Sequence, residues 1–336
     1  MARVYIIAEA GVNHNGSVDL ALQLVEAAKD CGADAVKFQT FRAARIASRS
    51  AAKAHYQERQ TGNAESHFEM LRRLELDAEA HRRLIDRCRK IDVEFLSSPF
   101  DEESVDLLDA LGVSQFKAPS GEVTNLPLLR HIASKSRPVI LSTGMATLGE
   151  VEEAVLALQA VGTAPITLLH CVTEYPAPYS EINLRAMETL RAAFRLPVGY
   201  SDHTEGIEIA VAAVAMGAQV IEKHFTIDRS LPGPDHAASL EPAELKRMVT
   251  AIRNVESALG NGVKGPAPCE IPNISVARKS LIATRNLSAG HRLRAEDITI
   301  KRPGTGISPK FLQVLVGHTL RTGVKEDEVI RWNDLA

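Results

Sequence analysis

The chain is poor in tryptophan and cysteine, and its few cysteines lie far apart. One of the 336 residues is tryptophan and four are cysteine. The cysteines occur singly, with no Cys-x-x-Cys pair among them, at Cys31, Cys88, Cys171 and Cys269. Isolated cysteines of this kind are typical of reduced, mostly buried thiols, so we expect a cytoplasmic protein.

The low net charge and the lack of long apolar runs exclude two classes of partner. The formal net charge is −3, which argues against nucleic acid or an anionic membrane surface as a partner. No apolar run approaches the about 20 residues that a membrane-spanning helix needs. The first eight residues contain too few apolar side chains for a signal peptide. We therefore expect neither nucleic acid nor a membrane as partner.

The chain does contain a regular alternation of short apolar runs and helical patterns. Eight apolar runs occupy residues 4–8, 35–38, 93–96, 115–118, 139–141, 166–171, 197–200 and 219–221. Most are separated by a pattern with one apolar face, as at Val151, Val155 and Leu158. This rhythm predicts an α/β fold, a (β/α)8 TIM barrel, over residues 1–259. A doubly wound open sheet is the alternative, but it usually has fewer strands, and no Gly-x-Gly-x-x-Gly follows the first run.

The composition changes after Leu259. Residues 260–268 are rich in glycine and proline, and this composition predicts a linker, which we place at 260–274. The remaining residues, 275–336, contain short β-like pieces and turn-rich stretches, so they predict a small β-rich domain. A module of this size buries little surface by itself and needs a neighbour.

Two histidines lie at the ends of successive predicted strands. His203 and His224 both follow apolar runs, with Asp202 and Glu222 beside them. The carboxyl ends of barrel strands meet on one face, so both imidazoles can face one point. A single histidine is more often a structural hydrogen-bonding group, but the pair makes an open metal site an equally good interpretation. Histidine and carboxylate ligands suit Mn²⁺, Fe²⁺, Co²⁺, Zn²⁺ or Mg²⁺, and such an ion would polarise a carbonyl group.

Two lysines and three serines on the same face predict a phosphate site. Lys37 and Lys117 lie inside apolar runs, where an ammonium group is costly unless an anion meets it. Ser120, Ser142 and Ser201 offer hydroxyls and nearby backbone N–H groups, which are the donors that hold phosphate. Each serine alone is better explained by capping or turn formation, but together with the lysines they favour phosphate binding.

Three carboxylates follow other predicted strands on this face. Glu9 ends the first run, Glu122 follows a Ser-Gly pair, and Asp235 lies in a turn rich in proline and glycine. A site for a polyhydroxyl compound needs carboxylates to accept hydrogen bonds and one carboxylate to move a proton. Each could instead be a helix cap or a solvated charge. His14 and His236 are weaker candidates for the same work.

The segment at residues 39–77 is long and partly helical. It follows the second predicted strand and therefore lies on the catalytic face of the predicted barrel. A long insertion at that position is usually functional, so we expect a lid or a wall against the substrate.

Several motifs, in order along the whole chain, resemble those of the sialic acid (nonulosonic acid) synthases. They are 7–16 (IAEAGVNHNG), 36–40 (VKFQT), 98–101 (SPFD), 120–122 (SGE), 141–145 (LSTGM), 175–178 (YPAP), 201–204 (SDHT), 222–226 (EKHFT) and 233–235 (GPD). The tail, from 277–280 (ARKS) through 301–304 (KRPG), resembles the C-terminal antifreeze-like (SAF) domain of that family.

The resemblance implies a reaction and a cofactor. In this family phosphoenolpyruvate condenses with the open-chain aldehyde of an N-acetylated mannose-type sugar and with water, giving a nine-carbon 2-keto acid and phosphate by C–O cleavage. The family uses a divalent metal, commonly Mn²⁺, with Mg²⁺ or Co²⁺ as alternatives. By motif match His203 and His224 are its protein ligands.

The resemblance also implies roles for other residues and a dimer. The positions that match phosphoenolpyruvate-holding residues are Lys37, Lys117, Ser120, Ser142 and Ser201, and those that match sugar-contacting residues are Glu9, Glu122, Tyr175 and Asp235. Arg302 matches an arginine that reaches the partner subunit's barrel, which implies a domain-swapped homodimer. Glu222 or Glu9 is our candidate base for water. Thr173 stands where the family often has asparagine, and this departure weakens a phosphate role there.

Three questions of function stay open at this point. Another phosphoenolpyruvate-condensing synthase or a metal-dependent barrel aldolase is the alternative, because a barrel alone does not fix function. A non-catalytic sugar-binding protein is the remote alternative. The sugar is either N-acetylmannosamine, giving N-acetylneuraminate, or a 2,4-diacetamido-6-deoxy sugar, giving legionaminate.

Overall fold

A computed structural model describes residues 3–62, 64–162 and 164–336. The chain folds as two compact units, Met1–Gly260 and Asn261–Ala336. The three domain ranges expected from composition, 1–259, 260–274 and 275–336, stay predictions. Within the described residues no helix is long and apolar enough to cross a membrane.

The first unit contains one sheet of eight parallel strands. They are β1 (Tyr5–Gly11), β2 (Ala35–Thr40), β3 (Glu94–Pro99), β4 (Phe116–Ala118), β5 (Val139–Ser142), β6 (Ile166–Cys171), β7 (Val198–Asp202) and β8 (Val220–His224). Their order is β3-β2-β1-β8-β7-β6-β5-β4, and β3 packs beside β4, so the two edges of the sheet meet. The predicted α/β barrel is confirmed, and the open doubly wound sheet is excluded because the two edge strands, β3 and β4, lie against each other and close the sheet.

Helices follow the strands in the predicted alternation. They are α1 (Val18–Asp30), α2 (Ala43–Ile46), α3 (His55–Thr61), α4 (His67–Arg73), α5 (Ala78–Ile91), α6 (Glu102–Ala110), α7 (Leu126–Ser134), α8 (Leu148–Gln159), α9 (Ala186–Phe194), α10 (Glu208–Ala215) and α11 (Pro242–Leu259). Side-chain oxygens cap the N-termini of several of these helices. Ser17 Oγ accepts from the Leu20 N–H at 3.3 Å, and Asp101 Oδ1 accepts from the Ser104 N–H at 2.8 Å. Such caps satisfy N–H groups that have no partner within the helix.

Strand alternation separates two apolar layers and places the polar residues. Side chains at every second position of a strand point to the same face. Those that point into the barrel form one buried apolar layer, made of Ile7, Ala35, Leu96, Ile140, Leu169 and Val220. The residues between them, such as Ile6 and Val36, pack outward in the larger core beneath the helices. In most strands the next side chain that points inward, two residues further along, is polar.

The second unit is small and has its own core. It contains α12 (Ile271–Ala277), β9 (Ser280–Ala283), β10 (Ile298–Lys301) and α13 (Leu312–Leu315), and β9 pairs with β10 in antiparallel fashion. Its buried apolar residues are Leu281, Ala283, Leu287, Leu293, Ile307, Leu315, Leu320, Val324 and Ile330. The predicted β-rich character of this region is confirmed. Arg302 follows β10 and is exposed, and its Nε donates to the Ala277 carbonyl at 3.1 Å.

Candidate active site

A layer of polar side chains lies inside the barrel, directly above the inward apolar layer. It follows from strand alternation, since Glu9 lies two residues beyond Ile7, and Lys37 two residues beyond Ala35. The same step on other strands gives Ser98, Ser142, Cys171 and Glu222. These residues line a cavity of about 360 Å³ at the carboxyl ends of the strands. That is the end at which barrel enzymes carry their active sites.

Two lysines and two carboxylates occupy the floor of the cavity. The Lys37 Nζ lies 2.8 Å from Glu9 Oε2 and 3.7 Å from Glu222 Oε1. The Lys117 Nζ lies 3.6 Å from Glu222 Oε2 and donates to Ser142 Oγ at 2.7 Å. Ser201 Oγ donates to Glu222 Oε1 at 3.1 Å. Six predicted site residues, Glu222 among them, therefore form one connected buried network.

Burial and mutual charge set the protonation of this network. Burial raises the pKa of Glu9 to about 7, although Lys37 opposes the shift. Burial also acts to raise the pKa of Glu222, but Lys117 and Lys37 outweigh it and hold that pKa below its usual value. Burial lowers the pKa of Lys117, and for Lys37 the carboxylates of Glu222 and Glu9 outweigh burial and raise the pKa. Near neutral pH Lys37 is therefore charged and Glu222 is ionised, while Glu9 titrates in that region, and an anion bound beside Lys37 and Lys117 would be stabilised there.

His203 and His224 lie together at one side of this floor, as predicted from their positions. Their ring centroids are 5.4 Å apart, and both side chains are buried. The Nδ1 of His203 lies 2.6 Å from the Val172 carbonyl oxygen, which can only accept, so Nδ1 carries the hydrogen and Nε2 keeps its lone pair. The Nδ1 of His224 has no hydrogen-bond partner among the described residues.

The two imidazoles fit a divalent cation. Burial lowers the pKa of His203 to about 4 and the pKa of His224 well below its usual value, so both rings are neutral near pH 7, the form that binds metal. Within the described ranges no cluster of three or more His, Cys, Asp or Glu side chains is arranged to hold an ion. A cation here would have two protein ligands and would keep its other positions for oxygen ligands of substrate.

Tyr175 lies against the imidazole pair. Its ring centroid is 4.2 Å from that of His203 and 5.4 Å from that of His224, and on its other side it contacts Tyr56 at 4.8 Å. The tyrosine that was predicted to contact the sugar therefore packs against both imidazole rings. Glu122 lines the cavity and accepts from Asn125 Nδ2 at 2.7 Å.

The remaining predicted residues take different places. Ser120 lines the cavity, and its Oγ accepts from the Gly144 N–H at 3.0 Å. A Cβ on Gly144 would lie 2.9 Å from that same oxygen and still closer to Thr173 Oγ1, so a larger residue there would have to displace these side chains. Asp235 is 6 % exposed and does not line the cavity, and burial raises its pKa to about 6. Arg302 belongs to the second unit.

A model of the NeuB family matches residues 24–264, and a SAF domain model matches residues 278–336. The chain belongs to the NeuB family. The N,N'-diacetyllegionaminic acid synthase of Campylobacter jejuni is 53% identical over 333 residues, which cover 98% of this chain and 100% of the relative. The synthase of the same name from Legionella pneumophila is 47% identical over 335 residues, covering 98% and 94%.

A solved structure agrees with the NeuB assignment. The N-acetylneuraminic acid (sialic acid) synthetase of Leptospira borgpetersenii serovar Hardjo-bovis, crystallised in complex with citrate, is 37% identical. Its TM-score is 0.71, and the match covers 81% of this chain and 90% of that one. The resemblance seen in the motifs is thus confirmed by family model, relatives and fold.

Behind the imidazoles of this NeuB-family barrel lies a buried ion pair that the sequence analysis did not identify. Lys223 Nζ donates to Asp202 Oδ2 at 2.8 Å and to the Thr204 carbonyl at 2.5 Å, and both charged side chains are at most 1 % exposed. The pair joins β7 to β8 next to His203 and His224. The sequence could have revealed this pair only if the register of β7 and β8 had been known, because Asp202 and Lys223 lie opposite each other there.

Sequence reasoning also missed the residues that form the outer wall of the cavity. They come from the end of β2, from the loops and short helices between β2 and α5, and from the residue after β3, and they are Gln39, Phe41, Ile46, Tyr56, Gln57, His67, Leu71 and Phe100. The segment was predicted to be a wall or lid, but helices of four to seven residues carry too little periodicity to show which side chains face the cavity.

Proposed function

We propose that this chain is a nonulosonate synthase. It condenses phosphoenolpyruvate with the open-chain aldehyde of an N-acetylated sugar and with water, giving a nine-carbon 2-keto acid and phosphate. The observation that carries the proposal is one buried cavity in which two lysine side chains and a pair of imidazoles face the same space. A dianionic enol phosphate and an aldehyde need these two kinds of group side by side.

The sugar we propose is the 2,4-diacetamido-6-deoxy sugar, with N,N'-diacetyllegionaminate as the product. Both relatives at 53% and 47% identity are named for that product, whereas the sialic acid synthetase described above is 37% identical. N-acetylmannosamine is the competing substrate, and a side-by-side assay decides between them.

His203 and His224 are the proposed ligands of a divalent metal, which we take to be Mn²⁺ in preference to Mg²⁺ or Co²⁺. NeuB-family synthases are generally metal-dependent. A metal bound there would supply Lewis-acid polarisation of the aldehyde carbonyl. The chain's own part is to hold both rings neutral and fixed: Val172 orients one ring, and Tyr175 packs against both.

The lysines and serines are the proposed phosphoenolpyruvate site. Lys117 and Lys37 lie on opposite sides of Glu222, and Ser142, Ser120 and Ser201 add hydroxyls around them. These donors are in place before the reaction, so they stabilise the charge that grows on phosphate as its C–O bond breaks. Exclusion of water by the buried floor strengthens each of these interactions.

Glu9 is the better candidate for the base that activates water. A general base works best when its pKa is near the working pH, and burial raises the pKa of Glu9 to about 7. Glu222 is ionised but is a weaker base, because Lys117 and Lys37 hold its pKa down despite burial. We therefore assign Glu222 to holding the two ammonium groups in place, and Glu9 to proton transfer.

Isotope labelling tests this function against its alternatives. With phosphoenolpyruvate, the diacetamido sugar and ¹⁸O-labelled water, we expect phosphate release that depends on the sugar, and phosphate without label, because water adds to carbon. Mass spectrometry of the phosphate is the measurement. Labelled phosphate would indicate P–O cleavage and a different enzyme. Condensation of the sugar with pyruvate instead would indicate an aldolase, and no turnover with either sugar would leave a binding protein.

We also propose the domain-swapped homodimer, in which Arg302 reaches the sugar bound by the partner subunit. Arg302→Ala should then raise the KM of the sugar at least tenfold and change the KM of phosphoenolpyruvate little, since a hydrogen bond to a charged group contributes about 1.5–3 kcal/mol. Steady-state kinetics measures both constants. Arg292→Ala is the matched control, because Arg292 is also exposed and its Nε donates to the Gly317 carbonyl at 3.0 Å. Equal effects of Arg302→Ala on both substrates would contradict the swap.

A further inference from the structure

The outer wall of the cavity differs in chemistry from its floor. The floor is charged and comes from the strands, whereas the wall comes mostly from the 41–71 segment, with Gln39 and Phe100 beside it, and contains both apolar and neutral polar side chains. Its apolar members that line the cavity are Phe41, Ile46, Leu71 and Phe100. The mechanism above uses none of them.

The apolar part of the wall packs on a small core of its own. Phe41, Met70 and Leu74 are nearly fully buried in one cluster, and Phe41 packs edge-on against Phe100 at 6.1 Å. Ile46 and Leu71 pack against that cluster but remain partly uncovered, and both line the cavity. They thus present an apolar surface to whatever occupies the outer half of the cavity.

One polar side chain of the wall has an unused hydrogen-bonding atom. His67 precedes Leu71 by one helical turn on α4, so the two side chains share a face. The Nδ1 of His67 is buried and has no hydrogen-bond partner among the described residues. A ligand group that pairs with this atom would supply the hydrogen bond that it lacks. Gln57, by contrast, already has a hydrogen-bond partner within the wall segment, since its Oε1 accepts from the Ala54 N–H at 3.0 Å.

The chemistry of the reaction orients the sugar in the cavity. Carbon 1 carries the aldehyde and must lie on the floor, beside the imidazole pair and the lysines. Five carbon–carbon bonds separate it from carbon 6, so the far end of an extended chain lies about 6 Å away. Carbons 4 to 6 therefore point away from the floor and toward the 41–71 wall.

We infer that this wall is a specificity subsite for the outer half of the sugar: Ile46 and Leu71 receive the methyl group at carbon 6, and His67 hydrogen-bonds the acetamido group at carbon 4. The inference rests on the proposed function. A hydroxyl at carbon 6 would be desolvated against an apolar surface with no partner, whereas a methyl group is not. An amide both donates and accepts, so it can pair with Nδ1 whichever ring nitrogen carries the hydrogen.

Three aldehydes separate the two contacts. The first is the 2,4-diacetamido-6-deoxy sugar, the second its analogue with a hydroxyl at carbon 4, and the third N-acetylmannosamine, with hydroxyls at carbons 4 and 6. The second and third differ only at carbon 6, and the first and second only at carbon 4. The ratio of kcat/KM within each pair therefore reports one contact.

Leu71→Gln tests the methyl contact. The relevant pair is the second and third sugars, which differ only at carbon 6. We expect the ratio of their kcat/KM values, which favours the 6-deoxy sugar, to fall about 10- to 100-fold, because apolar pockets discriminate by about 1–3 kcal/mol. The KM of phosphoenolpyruvate should stay unchanged. Ile46→Thr repeats the test at a second position if the first variant folds poorly. Leu156→Gln, at an exposed leucine of α8, is the control. An equal loss with all three sugars would mean that Leu71 is merely structural.

His67→Phe tests the amide contact. It keeps the ring and removes the nitrogens, so the preference for the 4-acetamido sugar over its 4-hydroxy analogue should fall about tenfold or more. The control is His55→Phe, at an exposed histidine of α3. An unchanged preference would overturn the assignment of His67. A wild-type protein that releases phosphate but shows no preference between the sugars would overturn the subsite alone, whereas one that releases none with any sugar would overturn the proposed function.

Discussion

His203→Ala is expected to lower kcat about 10³-fold or more while leaving the barrel folded. The described residues offer only two imidazoles to a cation, so loss of one removes half of the protein ligands. Carbonyl polarisation by a metal contributes several kcal/mol, and each 1.4 kcal/mol is about tenfold in rate. The fold should survive because His203 lies at a strand end, above the packed layers of the barrel.

The variant has a matched control and a readout other than turnover. His170 also makes one imidazole hydrogen bond to a backbone carbonyl, with Nε2 2.7 Å from the Ile182 oxygen, but it does not line the cavity. His170→Ala should therefore keep Mn²⁺ binding, measured by calorimetry, and His203→Ala should lose it. Circular dichroism checks the fold of both. If His203→Ala bound Mn²⁺ and turned over like the wild type, the imidazole pair would not be the metal site.

Glu9→Gln is expected to lower kcat about 10²- to 10⁴-fold, the usual effect of removing a general base. The KM of phosphoenolpyruvate should not rise, because the amide no longer competes for the Lys37 ammonium group, which lies 2.8 Å from the Glu9 carboxylate. A lower kcat together with an unchanged KM of phosphoenolpyruvate would indicate that Glu9 transfers a proton. A higher KM of phosphoenolpyruvate would indicate that Glu9 serves in binding.

The pH profile gives a second check on Glu9. A base must be deprotonated to act, and burial raises the pKa of Glu9 to about 7, so kcat/KM should rise as the pH increases through that region. The rising limb should disappear in Glu9→Gln. If the limb persisted unchanged, another group would be the base, and Glu222, held between Lys37 and Lys117, would be the next to test.

The floor of the site was largely predictable from sequence because strand alternation positions it. Lys37 and Lys117 each interrupt an apolar run, and a lysine inside a buried strand needs a nearby anion or a functional role. His203 and His224 could be placed together because the carboxyl ends of barrel strands converge. The structure adds what alternation alone does not show, namely that Glu222 lies between the two ammonium groups.

The wall was not predictable residue by residue. The helices α2, α3 and α4 have four, seven and seven residues, and helices of this length depend on tertiary packing for their stability. Whether Leu71 or His67 faces the cavity is therefore decided by the cluster around Met70 and not by a local pattern. Similarly, the position of Tyr175 against the imidazoles depends on the loop after β6, for which the sequence offers no periodic signal.

The buried Asp202–Lys223 pair has a consequence for how such an enzyme can diversify. Asp202 directly precedes His203, Lys223 directly precedes His224, and the pair is buried. The distance between the two imidazole rings is therefore set by the strands of the barrel. The segment that we propose to face the sugar is a separate insertion between β2 and α5. Exchange of that insertion for one suited to another acceptor should therefore leave the two imidazoles, the proposed metal ligands, in their present positions.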